Sequence, residues 1–144
     1  MKSRLLILFT STVLLVGAQA EDRSTWLSAA VDAKGVRHRG SEYVGRAPWM
    51  NDVVHMVQPE YPQSERAQNH QGSGLLRLTL NFKTGSVAQV AILKFTGYSA
   101  LDNSAVVAFR QWRWRPGKWK QIDVPMTFTF GRQAGMSIGP PSRR

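Results

Sequence analysis

The segment LLRLTLNF (75–82) alternates apolar and polar residues from Leu76 onward, and this pattern constrains the fold more than any other feature of the chain. Successive side chains of a β-strand point to opposite faces, so strict alternation is typical of a strand with one buried face. We therefore expect a half-buried strand whose inner face carries Leu76, Leu78, Leu80 and Phe82.

Two further strands follow along the chain. The sequence KTGS (83–86) is typical of a turn in which Gly85 adopts positive φ, and VAQVAILKF (87–95) is rich in β-branched residues, so the three segments predict a hairpin. The segment DVPMTFTF (123–130) alternates again. Because Pro125 has no amide donor, we expect this last strand to lie at an edge of the sheet.

Two helices are predicted around these strands. SERAQNH (64–70) is a short helical stretch that Gly72 ends, and LDNSAVVAFRQW (101–112) has an apolar stripe that ends at Pro116. Ser99, with Asp102 three residues later, resembles a capping box at the start of the second helix. The elements together predict an α+β domain, a small three-stranded antiparallel sheet packed with two helices.

The first 20 residues have the pattern of an export signal. Lys2 and Arg4 precede the short apolar stretch 5–17, and Ala18-Gln19-Ala20 provides the small residues that signal peptidase recognises. A membrane-spanning helix needs about 20 apolar residues, and this stretch is shorter. We expect a cleaved signal, and a retained membrane anchor is the alternative.

The remaining chain divides into an arm, a domain and a tail. Residues 21–49 are weakly patterned and contain the basic cluster KGVRHRG (34–40), so we expect a flexible basic arm, with an arm docked on the domain as the alternative. The ordered domain is expected over residues 50–131. Residues 132–144 have the composition of a loop-like tail.

The charge of the chain raises the question of an anionic partner. There are 19 basic and 9 acidic residues, and FRQWRWRPGKWK (109–120) interleaves cations with tryptophans, as many nucleic-acid-binding surfaces do. However, Trp112 falls on the apolar helix stripe, and an extended chain beyond it would turn Trp114 inward and Arg113 outward. We therefore assign Trp112 and Trp114 to the core, leave Trp119 open, and expect no nucleic acid. The basic face is either merely solvated or in contact with anionic lipid or lipopolysaccharide.

The sequence contains no pattern that indicates catalysis. The chain has no cysteine, and His38, His55 and His70 stand in separate contexts without the spacing of a metal site. No nucleophile motif is present, and Asp102 is explained by its place at a helix start. We expect a protein that is not an enzyme and that uses neither a cofactor nor a metal.

An ordered set of short motifs carries a family resemblance. Tyr61-Pro62, a glycine at 72 or 74 before the alternating strand, Gly85, Gly97 before Leu101-Asp102, QWRWRP (111–116) and VPMTFTF (124–130) occur in that order. This set resembles the C-terminal domain of TonB-type energy transducers, and the resemblance covers about residues 50–131. It implies a periplasmic domain with a helix-decorated antiparallel sheet; an inner-membrane anchor facing the periplasm is the alternative location.

The resemblance also implies a partner and a site. In the family, the domain binds the TonB box, a short extended segment of an outer-membrane receptor, as an added strand beside the last strand of the domain. The matching strand here carries Val124, Met126 and Phe128. The family's QP-x-YP segment also contacts the box, and it matches Gln58, Pro59, Tyr61 and Pro62.

Two departures from the family weigh against direct coupling to an ExbB/ExbD-type inner-membrane motor. Family transducers have an uncleaved N-terminal helix with a functional histidine and a long proline-rich spacer, whereas this sequence has no histidine before His38 and no proline before Pro48. Two hypotheses stay open: a receptor-binding module of an energy-coupled transport system, and a free periplasmic binding or scaffold protein of the same fold. A homodimer also stays open.

Overall fold

The computed structural model describes residues 28–44 and 46–130 and the backbone of 135–138. The predicted signal, residues 1–20, and the start of the predicted arm lie outside these residues. The helices are α1 (Pro48–Asn51), α2 (Gln63–Ala67) and α3 (Ser99–Phe109). The strands are β1 (Ala29–Asp32), β2 (Arg37–Arg39), β3 (Val53–His55), β4 (Gly72–Leu80), β5 (Val87–Lys94), β6 (Arg113–Trp114), β7 (Trp119–Thr129) and β8 (Gly135–Ile138).

The described strands form one large antiparallel sheet and one small one. The large sheet has the order β2-β1-β7-β4-β5, and β8 also pairs with β7, while β3 pairs with β6. The α+β class and the three expected strands, β4, β5 and β7, are therefore confirmed. The predicted size is wrong, since this sheet has six strands and three helices accompany it.

The β4–β5 hairpin follows from the alternation and from one glycine. Leu76, Leu78 and Leu80 are buried, whereas Phe82 lies beyond the end of β4 and is 38% exposed, so its predicted inward position is wrong. Gly85 has φ of +72°, and a Cβ atom there would lie 1.9 Å from the carbonyl oxygen of Trp114. A side chain at this position would prevent the turn from packing against β6.

The described part of the predicted arm is a hairpin that extends the sheet. β1 pairs with β2 on one side and with residues 119–123 of β7 on the other. Asp32 closes the turn because its Oδ1 accepts hydrogen bonds from the amides of Lys34, at 2.8 Å, and Val36, at 2.9 Å. The described part of this segment is thus paired with the central strand of the sheet.

Helix α3 begins without the predicted capping box. Ser99 is its first residue and the N-cap is Tyr98, which makes no side-chain cap bond. Asp102 is buried, and its Oδ1 accepts a hydrogen bond from the amide of Thr96 at 3.0 Å, so this carboxylate fixes the preceding loop instead. The helix ends at Phe109, three residues before the predicted end.

Trp112 and Trp114 lie in the core, as expected. Trp112 and Trp114 are fully buried, and Arg113 and Arg115 are exposed. The indole of Trp112 donates to the carbonyl of Val57 at 2.7 Å, and that of Trp114 donates to the carbonyl of Trp49 at 2.8 Å. Over the described residues, no helix has the length and apolar character needed to cross a membrane.

Candidate partner-binding site

Strand β7 is the centre of the sheet and not its edge. β4 pairs with residues 121–128 of β7 on one side. The other side is shared by two segments, because β1 pairs with residues 119–123 and β8 pairs with residues 126–129. The predicted edge position is therefore wrong. Pro125, on which it rested, lies in the gap between these two segments, where no neighbour on that side needs its missing donor.

β7, the strand predicted to receive a partner, has few exposed side chains in the predicted binding stretch. Val124, Met126 and Phe128 are at most 1% exposed, because they face the core. Of the alternate residues, Thr127 is buried and its hydroxyl lies 3.0 Å from that of Ser73 on β4, while Thr129 is exposed. A strand added here would pair with main-chain groups and find few side chains to contact.

The QP-x-YP segment lies against this end of β7. Tyr61 is buried, and its ring meets Phe128 edge-on with ring centroids 5.5 Å apart. Its hydroxyl donates a hydrogen bond to the carbonyl of His70. Burial raises the pKa of Tyr61, so the hydroxyl stays protonated and remains a donor. The two separate segments that the resemblance selected are thus in contact.

Two open grooves border this segment. One, of about 580 Å³, lies between residues 57–63 and α3, and Gln58 forms part of its wall. The other, of about 560 Å³, is lined by Glu60, Tyr61 and Gln63 and by Phe130, which is 50% exposed. Gln58 is exposed and Pro59 is buried, so the segment presents one polar side chain outward and anchors itself through its proline and tyrosine.

A buried carboxylate holds the middle of β7 in place. Asp123 is 2% exposed, and it accepts hydrogen bonds from Arg77 of β4, at 2.8 and 3.0 Å, and from Arg37 of β2, at 2.5 Å. Burial favours the neutral acid, but the two guanidinium groups outweigh burial and lower the pKa of Asp123. The ion pairs therefore connect the N-terminal hairpin to the strand that carries the site.

His38 and His70 have structural partners. His38 lies 3.0 Å from Asp32 and 3.0 Å from the hydroxyl of Tyr43. His70 lies 2.7 Å from Glu65 and stacks on Tyr98. Within the part of the chain that the structure describes, no group of three or more histidine, aspartate or glutamate side chains is arranged to hold a metal.

The sequence did not reveal the pairing of β8 or the two grooves. The pairing of β8 was missed because Gly135–Ile138 is short and has no strong strand pattern. The grooves were missed because Glu60, Gln63 and Phe130 come together only through tertiary packing. A weak signal existed for Phe130, since it continues the alternation of β7 into an exposed position.

Comparison with known proteins identifies the family of this chain. Residues 57–131 match the family described as the C-terminal domain of Gram-negative bacterial TonB proteins. Protein tonB2 of Pseudomonas aeruginosa is 34% identical over 83 residues, which cover 52% of this chain but only 30% of that protein. No solved structure matches the chain significantly. The matched range contains Tyr61, all of β7 and the contact between them, and the chain therefore belongs to the TonB C-terminal domain family.

Proposed function

We propose that this chain binds an extended segment of an outer-membrane receptor, the TonB box, by strand addition along residues 126–129 of β7 in the periplasm. The observation that carries this proposal is the register of β8. Met126 lies opposite Ile138, and Thr129 lies opposite Gly135, so this stretch of β7 accepts an antiparallel strand from its own chain. The backbone groups that pair with β8 can also pair with a strand of another protein, because hydrogen bonds between the main chains of two strands do not depend on side chains.

Binding at this position requires an exchange of strands. The incoming segment would replace the four residues of β8 and pair with the same main-chain groups. An internal strand competes strongly because its tether keeps its local concentration high. The receptor segment therefore needs contacts that β8 lacks, and the grooves beside Tyr61 and Gln58 are available to provide them.

Coupling to an inner-membrane motor is decided by the N-terminus of the mature protein. A mature chain that begins at Glu21 would support the alternative, a free periplasmic binding protein without direct energy transduction. Edman sequencing of the protein from separated cell fractions distinguishes the two hypotheses. A retained Met1 in the membrane fraction would support the energy-coupled one.

A peptide titration tests the binding itself. The full chain, labelled with ¹⁵N, is titrated with a synthetic TonB-box peptide, and backbone amide shifts are followed. We expect shifts at residues 126–129, at 135–138 as β8 is displaced, and around Tyr61. Shifts confined to the outer strands β2 or β5, or no binding at millimolar peptide, would overturn the proposal.

A further inference from the structure

Basic side chains gather at the end of the domain where β4 and α3 both terminate. We name this the basic pole, and it comprises Lys83, Arg110, Arg113, Arg115 and Lys118. Backbone contacts hold its parts together: Arg113 bridges to Ser86, the amide of Trp114 donates to the carbonyl of Gly85 at 2.9 Å, and the amide of Gly117 donates to the carbonyl of Phe82 at 2.8 Å. The cations therefore stand on a fixed frame and not on a free loop.

The core tryptophans determine where the arginines point. Trp112 and Trp114 are fully buried, so the intervening Arg113 and the following Arg115 face solvent. On the neighbouring strand β3, the exposed His55 lies directly opposite Arg113. The outer face of the small β3–β6 sheet is thus basic.

Charge at the basic pole is poorly balanced. Lys118 pairs with Asp52, with 2.9 Å between Nζ and Oδ1. Among the residues that the structure describes, Lys83, Arg110 and Arg113 have no ion-pair partner within 4 Å, and Arg115 has none within that distance but interacts electrostatically with Asp52. The buried Asp123 is engaged away from the pole, with Arg37 and Arg77. A concentrated positive field of this kind attracts anions to one end of the molecule.

Apolar side chains are exposed at the same end. Phe82, beside Lys83 in the hairpin turn, is 38% exposed, and Val54, in the strand opposite Arg113, is 58% exposed. Cations together with exposed apolar groups suit a lipid surface, where the cations meet headgroup phosphates and the apolar groups enter the interface. A soluble polyanion without aromatic rings, such as heparin, would use the cations alone.

The basic pole lies at the opposite end of the sheet from the candidate partner-binding site. Gly72 of β4 is paired with Phe128 at the site, and β4 runs nine residues from there to Leu80. At about 3.3 Å per residue the two ends are about 25 Å apart. A surface bound at the pole would leave residues 126–129 accessible.

We propose that the basic pole docks the protein on an anionic phospholipid bilayer, with Arg113 and Arg115 contacting phosphates and Phe82 entering the interface. Arginine suits this role because its guanidinium binds phosphate oxygens in a bidentate manner. This docking is independent of the proposed receptor binding and would orient that site away from the membrane.

Vesicle flotation tests the proposal. The full chain is mixed with vesicles of equal parts phosphatidylglycerol and phosphatidylcholine, and with vesicles of phosphatidylcholine alone. We expect binding to the anionic vesicles only, weakening as salt is raised. The double variant Arg113→Gln/Arg115→Gln should bind about 25-fold more weakly, about 5-fold for each cation near an anionic surface.

Matched controls separate docking from general charge. The double variant Arg39→Gln/Arg66→Gln removes the same charge from exposed positions outside the pole and should bind nearly as well as the original chain. Phe82→Ala keeps the charge and should weaken vesicle binding several-fold without changing binding to heparin. Equal losses in both double variants, or a Phe82→Ala variant that binds vesicles normally, would overturn the proposal.

Discussion

Tyr61 meets Phe128 edge-on, with the ring planes at 63° and the centroids 5.5 Å apart. This contact joins a turn between two prolines to the strand at the centre of the sheet. Edge-to-face aromatic pairs add to the stability that burial provides. The position of the QP-x-YP segment is therefore tied to the stretch of β7 at which we propose that a partner strand is added.

The hydroxyl of Tyr61 should contribute measurably to stability. Tyr61→Phe removes its hydrogen bond to the carbonyl of His70, and we expect the free energy of unfolding to fall by about 1 kcal/mol. Urea denaturation followed by circular dichroism measures this change. Tyr98→Phe is the matched control, because no hydrogen bond of the Tyr98 hydroxyl is present among the described residues. Equal stability of both variants would contradict this role of Tyr61.

Trp112 should be essential to the core. It is fully buried and in contact with Phe109 and Trp114, so Trp112→Ala should lower the free energy of unfolding by about 3–5 kcal/mol or prevent folding. Val107→Ala, at a 62% exposed position on α3, should change it by no more than about 0.5 kcal/mol. A melting curve of the Trp112 variant close to that of the original chain would place this side chain on the surface.

Asp123 should make the domain sensitive to acid. Its pKa is lowered in the folded state, so the unfolded chain takes up the proton first as the pH falls. The stabilisation is complete above about pH 4, the ordinary pKa of aspartate, and is lost as the pH falls through the lower folded pKa. Urea midpoints measured from neutral pH down to about pH 2 should show this loss.

Asp123→Asn provides the check on this assignment. The variant should be less stable by about 2 kcal/mol at neutral pH, because charge-assisted hydrogen bonds from Arg37 and Arg77 are weakened, and it should lose less stability in acid. Glu60→Gln, an exposed carboxylate, serves as the control. An Asn variant whose acid profile matched that of the original chain would assign the sensitivity to other carboxyl groups.

The sequence predicted the elements that have a strong local pattern and missed those decided by distant residues. The leucines of β4 and the alternation of β7 specify which side faces the core, and both strands form as expected. β1 has only four residues, and its place depends on β7 and on the ion pair between Arg37 and Asp123, which are 86 positions apart. No local pattern carries such information.

The sequence predicted residues of the candidate site, but it did not predict that the strand carrying them has partners on both sides. The motifs selected Tyr61 and Phe128, which are in contact. Pro125 suggested an edge strand, but its missing amide is accommodated in a gap between two neighbours, so β7 has partners on both sides. Whether a strand lies at an edge depends on which other segments pair with it. In this chain β8, a weakly patterned segment of the tail, pairs with β7.

Removal of the tail should strengthen binding of the partner peptide. A chain that ends at Phe130 lacks β8, so the peptide does not have to displace that strand before it pairs with residues 126–129. We expect the affinity for a TonB-box peptide to rise by about 3- to 10-fold, the equivalent of about one ladder hydrogen bond. Ser137→Pro, which removes one backbone donor from β8, should have the same effect in the full chain. Unchanged affinity in both variants would show that β8 does not compete.

The most direct test of strand addition is the set of cross-strand nuclear Overhauser effects in the complex. The full chain, labelled with ¹³C and ¹⁵N, is studied with an unlabelled TonB-box peptide. We predict contacts between the peptide backbone and residues 126–129, in place of those between these residues and 135–138. Persistence of the β7–β8 contacts, with the peptide located on another strand, would contradict the account.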